Sequence, residues 1–345
     1  FKKKLKQKSG NRAFFLYLEA INYLDGLQGV ASEVRNRKIP VGYLYWLDQL
    51  ETNKSWHELA EVSQESLDNM PFDNLRTYAA DKLSVAGENI KESSLVLQGK
   101  RERFFSVPQE ENLLFLLKES IKQDVKEVEL TKALDFLEPN KKSDNKPDNK
   151  PDNKSGKEEN FRMGRSSFLL KIKVTLMLGN LEDAYSQIDK KAVADWSYGK
   201  QTSGCIYASI LLSLIRGNSK ATTIHGLFNS YLGNRYTSED LILDEIQQSL
   251  SKLIITKAQK EEWFQFIHQI AGSRVDHIVS NKYRSAYDRA AATMGGYMEC
   301  MILHDQKDKA VAFLKLNRNQ KYNRFSAFRA ELDNVLRSSP LLARL

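Results

Sequence analysis

Between Leu169 and Ile188 apolar residues fall at helical spacing twice over. Leu169, Ile172 and Leu176 form the first set. After a Gly179-Asn180 break, Leu181, Ala184, Tyr185 and Ile188 form the second. Two short amphipathic helices folded back on each other account for the pattern. The device recurs at Tyr43 to Leu67 and at Arg284 to Leu316. Such hairpins bury their apolar faces mainly against one another, so the modules are expected to stack.

Runs of alternating apolar and polar residues long enough to build a sheet are scarce, and the chain reads as all-α, a TPR-like helical-hairpin repeat solenoid. Tyr43 to Leu50 and Trp56 to Leu67 make one pair, with Ser55 placed to cap the second helix. Pro71-Phe72 opens the next pair, Leu75 to Ala86 and Ser94 to Phe105, which Pro108 stops. Glu111 to Ile121 and Val128 to Leu137 make another. Beyond the Leu169 hairpin comes a polar crossing at Asp195-Trp196-Ser197-Tyr198-Gly199, with Trp196 as its packing anchor. Cys205 to Ile215 is so apolar that its helix should be central. Leu241 to Leu253 and Lys257 to Ile270 follow, the latter dense in core aromatics, then Tyr283 to Leu303, Asp308 to Leu316 and a closing helix from about Phe325.

Pro139 to Asn160 breaks the pattern. It holds no aliphatic or aromatic side chain and repeats Ser143-Asp144-Asn145-Lys146 as Pro147-Asp148-Asn149-Lys150 and Pro151-Asp152-Asn153-Lys154. A segment with nothing to bury is expected to be a disordered insertion. It separates helical repeats at 1–138 from helical repeats at 161–345, read as continuous with each other. The chain starts at Phe1 rather than a methionine, as a piece of a longer protein would.

With 345 residues and 41% hydrophobic content the chain can bury one large core or two ordinary ones. The longest nearly unbroken apolar run, Cys205 to Ile215, falls short of the roughly 20 residues a membrane span needs. Two cysteines, far apart and without histidines at ligand spacing, indicate neither a disulfide framework nor a zinc site, and a reducing cytoplasm fits best. A net charge of +8 permits attraction to nucleic acid but is common in proteins that bind none.

Recognisable reaction chemistry is sparse. His268 and His277 lie nine residues apart with Gly272 between them, whereas a zinc-binding helix spaces its ligands three or four apart. His304-Asp305 reads as a turn. The carboxylate pairs Glu110-Glu111, Glu158-Glu159 and Glu261-Glu262 sit at helix starts or in the linker, where the dipole or solvent explains them. Phosphate-loop, dinucleotide and nucleophile-elbow patterns are missing from the sequence, so no cofactor and no catalysis are expected. Gly199 and Gly204 flank a helix start that would accept an anion, though Thr202 or Ser203 can cap it. The richest group is Lys282, Arg284, Arg289, Lys315, Arg318, Lys321, Arg324 and Arg329, interleaved with Tyr283, Tyr287, Tyr322, Phe325 and Phe328. It has two readings. Forked guanidinium bonds and stacking rings would make a binding face. Alternatively, Tyr287, Phe325 and Phe328 are core while the cations surround a cap and pair with Asp288, Glu331 and Asp333.

Three stretches in order carry a resemblance: Trp46-Leu47-Asp48-Gln49-Leu50 with Trp56, leading to Arg76, Ala79, Ala80, Asp81 and Leu83; Leu178-Gly179-Asn180-Leu181-Glu182-Asp183-Ala184, leading to Asp195-Trp196-Ser197; and Tyr287-Asp288-Arg289-Ala290-Ala291, leading to Ala327-Phe328-Arg329-Ala330-Glu331-Leu332-Asp333. Together they are similar to the helical C-terminal region of large bacterial SWIM zinc-finger family proteins. The zinc element of that family, Cys-x-Cys then Cys-x-His, does not occur in this sequence, so no metal ligand carries over. The resemblance implies a helical-repeat region in a larger protein whose role is DNA or protein binding.

The expectation is a non-enzymatic cytoplasmic scaffold for a protein partner, with Arg284, Arg289, Arg318, Lys321, Arg324 and Arg329 as candidate partner-binding residues. Nucleic-acid binding through the same basic face is the second reading. The sequence leaves oligomeric state open.

Overall fold

The computed structural model describes residues 11–138, 165–188, 202–233 and 240–345. The expected insertion at 139–160 and the crossing at 195–199 lie outside these residues. Among the described residues every regular element is helical. The chain divides into two compact units, Phe1–Arg162 and Met163–Leu345.

The first unit contains α1 (Asn11–Arg37), α2 (Pro40–Thr52), α3 (Trp56–Asn69), α4 (Asn74–Ile90), α5 (Ser93–Ser106), α6 (Glu110–Lys122) and α7 (Lys126–Leu137). Gly26, at φ 65°, kinks α1. Each helix packs mainly on the next one in sequence, with further contacts of α2 on α4 and α5 on α7. Trp46, Leu47 and Leu50 meet Leu59, Val62, Ala79, Ala80 and Leu83 in a continuous buried seam. The tightest contact, α4 on α5, needs glycine: a Cβ at Gly99 would stand 2.6 Å from the Ala80 carbonyl oxygen and 2.9 Å from the Ser84 nitrogen.

The second unit contains α8 (Arg165–Met177), α9 (Leu181–Ser186), α10 (Thr202–Leu214), α11 (Thr222–Leu232), α12 (Leu241–Ser251), α13 (Lys257–Ser280), a 3-10 turn (Arg284–Ala286), α14 (Tyr287–Leu303), α15 (Lys307–Lys315), a π turn (Leu316–Lys321) and α16 (Ser326–Ser338). Its packing is more than sequential. The helix expected to be central is central: Cys205, Ile206, Tyr207, Ala208, Ile210 and Leu211 of α10 are fully buried. The helix touches α9, α11, α12, α13 and α14. A second hub, α14, touches α10, α11, α13, α15 and α16. Gly296 lets α11 approach it, since a Cβ there would lie 2.7 Å from Leu227 Cδ1.

One turn closes five hairpins across both units and occurs a sixth time at Lys282, φ 60°, where the Tyr283 N–H donates to the Ile278 carbonyl ahead of the 3-10 turn. Lys54, Lys91, Asp124, Gly179 and Asp305 hold left-handed backbone, with φ of 56°, 60°, 58°, 78° and 58°. In each case the next N–H donates to the carbonyl five residues back: Ser55 to Leu50, Glu92 to Gly87, Val125 to Ser120, Asn180 to Thr175 and Gln306 to Met301. This is the six-to-one bond of a Schellman closure. The following helix always starts two residues after the left-handed one. Three residues further on, Leu59, Val96, Glu129, Ala184 and Ala310 are all buried. The geometry of the turn thus sets which face of the second helix points inward.

Several boundaries differ from the sequence expectations. Ser55 occupies the N-cap position of α3 without making a side-chain cap. The helix after Pro71-Phe72 begins at Asn74, where Asp73 Oδ1 accepts from Leu75 N at 2.8 Å and Arg76 N at 3.2 Å. Gly272 breaks nothing, because α13 runs on to Ser280. Neither α1 nor α11 was placed from the sequence.

Candidate interaction surfaces

Chemistry of the reactive residue types resolves into packing. Nine residues along α13 turn the helix by about two and a half turns, so His268 and His277 leave it on opposite sides. His268 Nδ1 lies 2.9 Å from the Tyr297 hydroxyl, while the His277 ring stands 5.5 Å from Tyr283. His304 Nε2 is 3.1 Å from the Leu214 carbonyl oxygen. Burial pushes its pKa down. Cys205 and Cys300 are buried thiols. Among the described residues no group of three histidine, cysteine or acidic side chains converges in a metal-binding arrangement. None of their helices is long and apolar enough to cross a membrane.

Buried polar residues in the second unit tie elements together. Glu299 on α14 is fully buried. It accepts from the Thr223 and Ile224 amides of α11 at 3.0 and 2.9 Å, and from Ser339 Oγ at 2.6 Å. The carboxylate therefore caps a helix whose own N-cap, Ala221, has no acceptor to offer. Arg274 is buried beside Tyr231, whose hydroxyl it meets. Burial lowers the Arg274 pKa well below the usual arginine value.

The basic group of the second unit separates into parts. Tyr287, Tyr322 and Phe328 are buried, and their rings meet edge to face at 5.8 and 5.5 Å. They belong to the core and cannot stack on a partner. Arg318 is held by Asp333 through two bonds, Nε at 2.9 Å and Nη2 at 3.0 Å. Lys321 Nζ lies 2.8 Å from Asp276, whose carboxyl also accepts from the Tyr322 hydroxyl at 3.1 Å. The Lys321 bond chiefly holds the Asp276 pKa below the ordinary carboxylate range. Arg289 and Arg329 are half-buried on α14 and α16, the Arg329 Nε being sealed from solvent. Arg284 and Arg324 are exposed and make no ion pair among the described residues, and the same holds for Lys282. Of the interleaved rings, Tyr283 is 48% exposed.

A second surface, on the first unit, was not picked out from the sequence. Phe105 of α5 stacks on Phe136 of α7 with centroids 4.5 Å apart, and Phe72 stands 6.3 Å from Phe136. Phe72 and Phe136 are nevertheless 57% and 39% exposed. The Asp73 cap places Phe72 just outside the first turn of α4, where the Arg76 guanidinium lies 4.4 Å from its ring centroid. Arg76 in turn bonds Glu102 of α5 at 2.5 Å. Nearby, Glu129 takes the inward position that apolar residues fill in the other hairpins, and Arg101 answers it with Nε at 2.6 Å and Nη2 at 2.9 Å. A sequence signal for the aromatic row does exist. The buried stripe of α7 is Leu130, Ala133 and Leu137, whereas Val128 and Phe136, eight residues apart, share a second, solvent-facing stripe.

The chain matches no protein-family model, no curated protein and no solved structure.

Proposed function

We propose that this chain is a non-enzymatic helical-repeat scaffold that recognises a protein partner, acting as the helical region of a larger SWIM-type bacterial protein. The TPR-like stacked architecture is proposed for the first unit. Sequential packing of α1 to α7 and the shared closure of its hairpins support that reading. Stacks of this kind offer extended surfaces on which side chains recur at fixed spacing.

The observation that carries the proposal is the aromatic row of Phe72, Phe105 and Phe136, with the buried guanidinium of Arg76 packed over the Phe72 ring. Aromatic and arginine side chains dominate the energetic centres of protein interfaces, because they bury much area for little lost freedom. A folded helix pair gains nothing internally from leaving Phe72 and Phe136 in water. A partner that covers the exposed 57% of Phe72 and 39% of Phe136 gains about 0.6–1.7 kcal/mol per ring, that fraction of the roughly 1.5–3 kcal/mol for burying a fully exposed side chain.

The test is affinity capture with the full chain from native cells, comparing wild type with Phe72→Ala/Phe136→Ala. The expected result is a stoichiometric protein partner that the double variant loses while its helical content stays unchanged. A partner retained at wild-type yield by the double variant, or no partner at all, overturns the proposal.

A further inference from the structure

Over residues 281–345 the chain carries twelve lysines and arginines against six aspartates and glutamates, which is most of the +8 net charge of the whole sequence. Internal pairing then sorts these cations. Arg318 answers Asp333, and Lys321 answers Asp276. Lys282, Arg284 and Arg324 remain exposed, with side chains that form no hydrogen bond or ion pair among the described residues. They lie on two loops brought to the same end of α13. One loop is fixed by Asp276, which binds both Lys321 and Tyr322. The other is fixed by the next residue along, His277, whose ring meets Tyr283 at 5.5 Å. Arg324 follows Tyr322 by two residues, while Lys282 and Arg284 flank Tyr283.

We propose that Lys282, Arg284 and Arg324, with the exposed ring of Tyr283, form a binding edge for single-stranded nucleic acid. Three unpaired cations around a half-exposed aromatic match such a strand in both of its chemistries. Phosphates meet lysine and arginine, and an unstacked base meets the ring, a combination tolerant of sequence because every base has a π-face. An acidic protein segment would engage the cations and leave the ring unused. A duplex would hide the base faces the ring needs. Asp288, four residues beyond Arg284, is exposed, while Asp276 is paired with Lys321. The edge shares no residue with the aromatic row of the first unit, so this inference and the scaffold proposal fail independently.

The experiment is fluorescence anisotropy of a labelled oligo-uridylate of about twenty nucleotides with the full chain, repeated across a salt series. Wild type should bind, with log affinity falling linearly in log salt. Lys282→Gln/Arg284→Gln/Arg324→Gln should lower that slope by about 2, since each phosphate contact on a single strand contributes roughly 0.7. Tyr283→Ala should weaken binding by about five-fold to a hundred-fold at fixed salt with the slope unchanged, the range expected for one lost stacking contact. Lys282, Arg284 and Arg324 are exposed and unpaired among the described residues, so circular dichroism and melting of the triple variant should match wild type, while Tyr283→Phe, which keeps the ring on His277, should bind as wild type. Absence of wild-type binding, or a triple variant with the wild-type slope, overturns the proposal. So does a Tyr283→Ala variant of full affinity with polyglutamate competing as well as RNA, which would assign the edge to an acidic protein.

Discussion

Glu299→Ala would remove a buried carboxylate from three donors on two other segments. The Thr223 and Ile224 amides and Ser339 Oγ all point at it, from 3.0, 2.9 and 2.6 Å. Each buried donor left without an acceptor costs about 1–3 kcal/mol, and the truncated side chain leaves a void whose cost adds to this. Against it, the carboxylate no longer has to be held out of water, which returns several kcal/mol. A net loss of about 3–4 kcal/mol is the balance. For a unit of about 180 residues this lowers its melting temperature by roughly 6–15 °C. Glu299→Gln keeps the shape and one acceptor oxygen and should cost about 1–2 kcal/mol, so stability should run wild type, then Gln, then Ala. Two readouts are needed, because the two compact units of the chain can melt apart. Calorimetry gives the size of the loss. Hydrogen exchange gives its place: protection should fall at the first turn of α11 and at Leu342, whose amide leans on Ser339 Oγ at 3.3 Å. If Glu299→Ala melts within about 0.5 kcal/mol of wild type, or if the α11 amides keep their protection, the cap is not a stabilising link and the reasoning is wrong.

Other outcomes follow from the packing of the first unit and from the shared turn. Gly99→Ala should lower the urea midpoint, because forcing α4 and α5 apart costs about 1–3 kcal/mol, more than the roughly 1 kcal/mol of helix propensity gained; a raised midpoint would show the contact to be loose. At Glu129 burial raises the carboxyl pKa, and the bonds from Arg101 and Lys132 outweigh it, so the folded value lies below the ordinary one. Its stabilisation is therefore complete above the unfolded value of about 4.3 and is lost as pH falls through the folded value. Melting curves of wild type and Glu129→Gln should accordingly differ at pH 7 and converge as pH falls through the folded value, and a gap that persists in acid contradicts the assignment. Lys54→Gly and Asp305→Gly should each stabilise by about 1 kcal/mol, while Gly179→Ala should destabilise by a similar amount, because a side chain in left-handed backbone carries that cost. Thermal shifts of one sign in all three variants would mean the turns are not equivalent.

Those turns also explain how much of the fold the sequence discloses. Gly179 announces its hairpin, because glycine is the residue that takes left-handed backbone freely. Lys54, Lys91, Asp124, Lys282 and Asp305 adopt the same conformation with ordinary side chains, so the motif is plain once and disguised five times. The apolar stripes were strong enough to place most helices regardless. They failed at α11, although Ile224, Leu227, Phe228 and Leu232 sit at helical spacing, since His225-Gly226 and Asn229-Ser230 interrupt the run and no local residue caps its start. The acceptor that does so is 75 residues further along the chain. Gly272 misled in the opposite direction. Nothing lies within 4 Å of where its Cβ would be, and α13 passes through it unbroken because Ile270, Ala271, Arg274 and Val275 bury the adjoining face.

The surfaces were harder to read than the core for the same long-range reason. Charge at helical spacing shows that cations are present, but which of them are free depends on partners distant in sequence: Asp333 for Arg318, fifteen residues on, and Asp276 for Lys321, forty-five residues back. Subtracting those pairs, and the half-buried Arg289 and Arg329, turns a list of six candidates into two exposed arginines, Arg284 and Arg324, with Lys282 and Tyr283 as sequence neighbours of Arg284. The same subtraction on the apolar side removes Tyr287, Tyr322 and Phe328 and exposes Phe72 and Phe136 instead. A core satisfies most of the groups it encloses. On the two proposed readings, recognition would fall to what folding leaves unmatched among the described residues: half-covered rings in the first unit and cations without counter-ions in the second. Those two remainders differ in chemistry, and salt distinguishes them: a partner held on the Phe72 row should keep its affinity as salt rises, whereas a strand held on the Arg284 edge should lose it steeply.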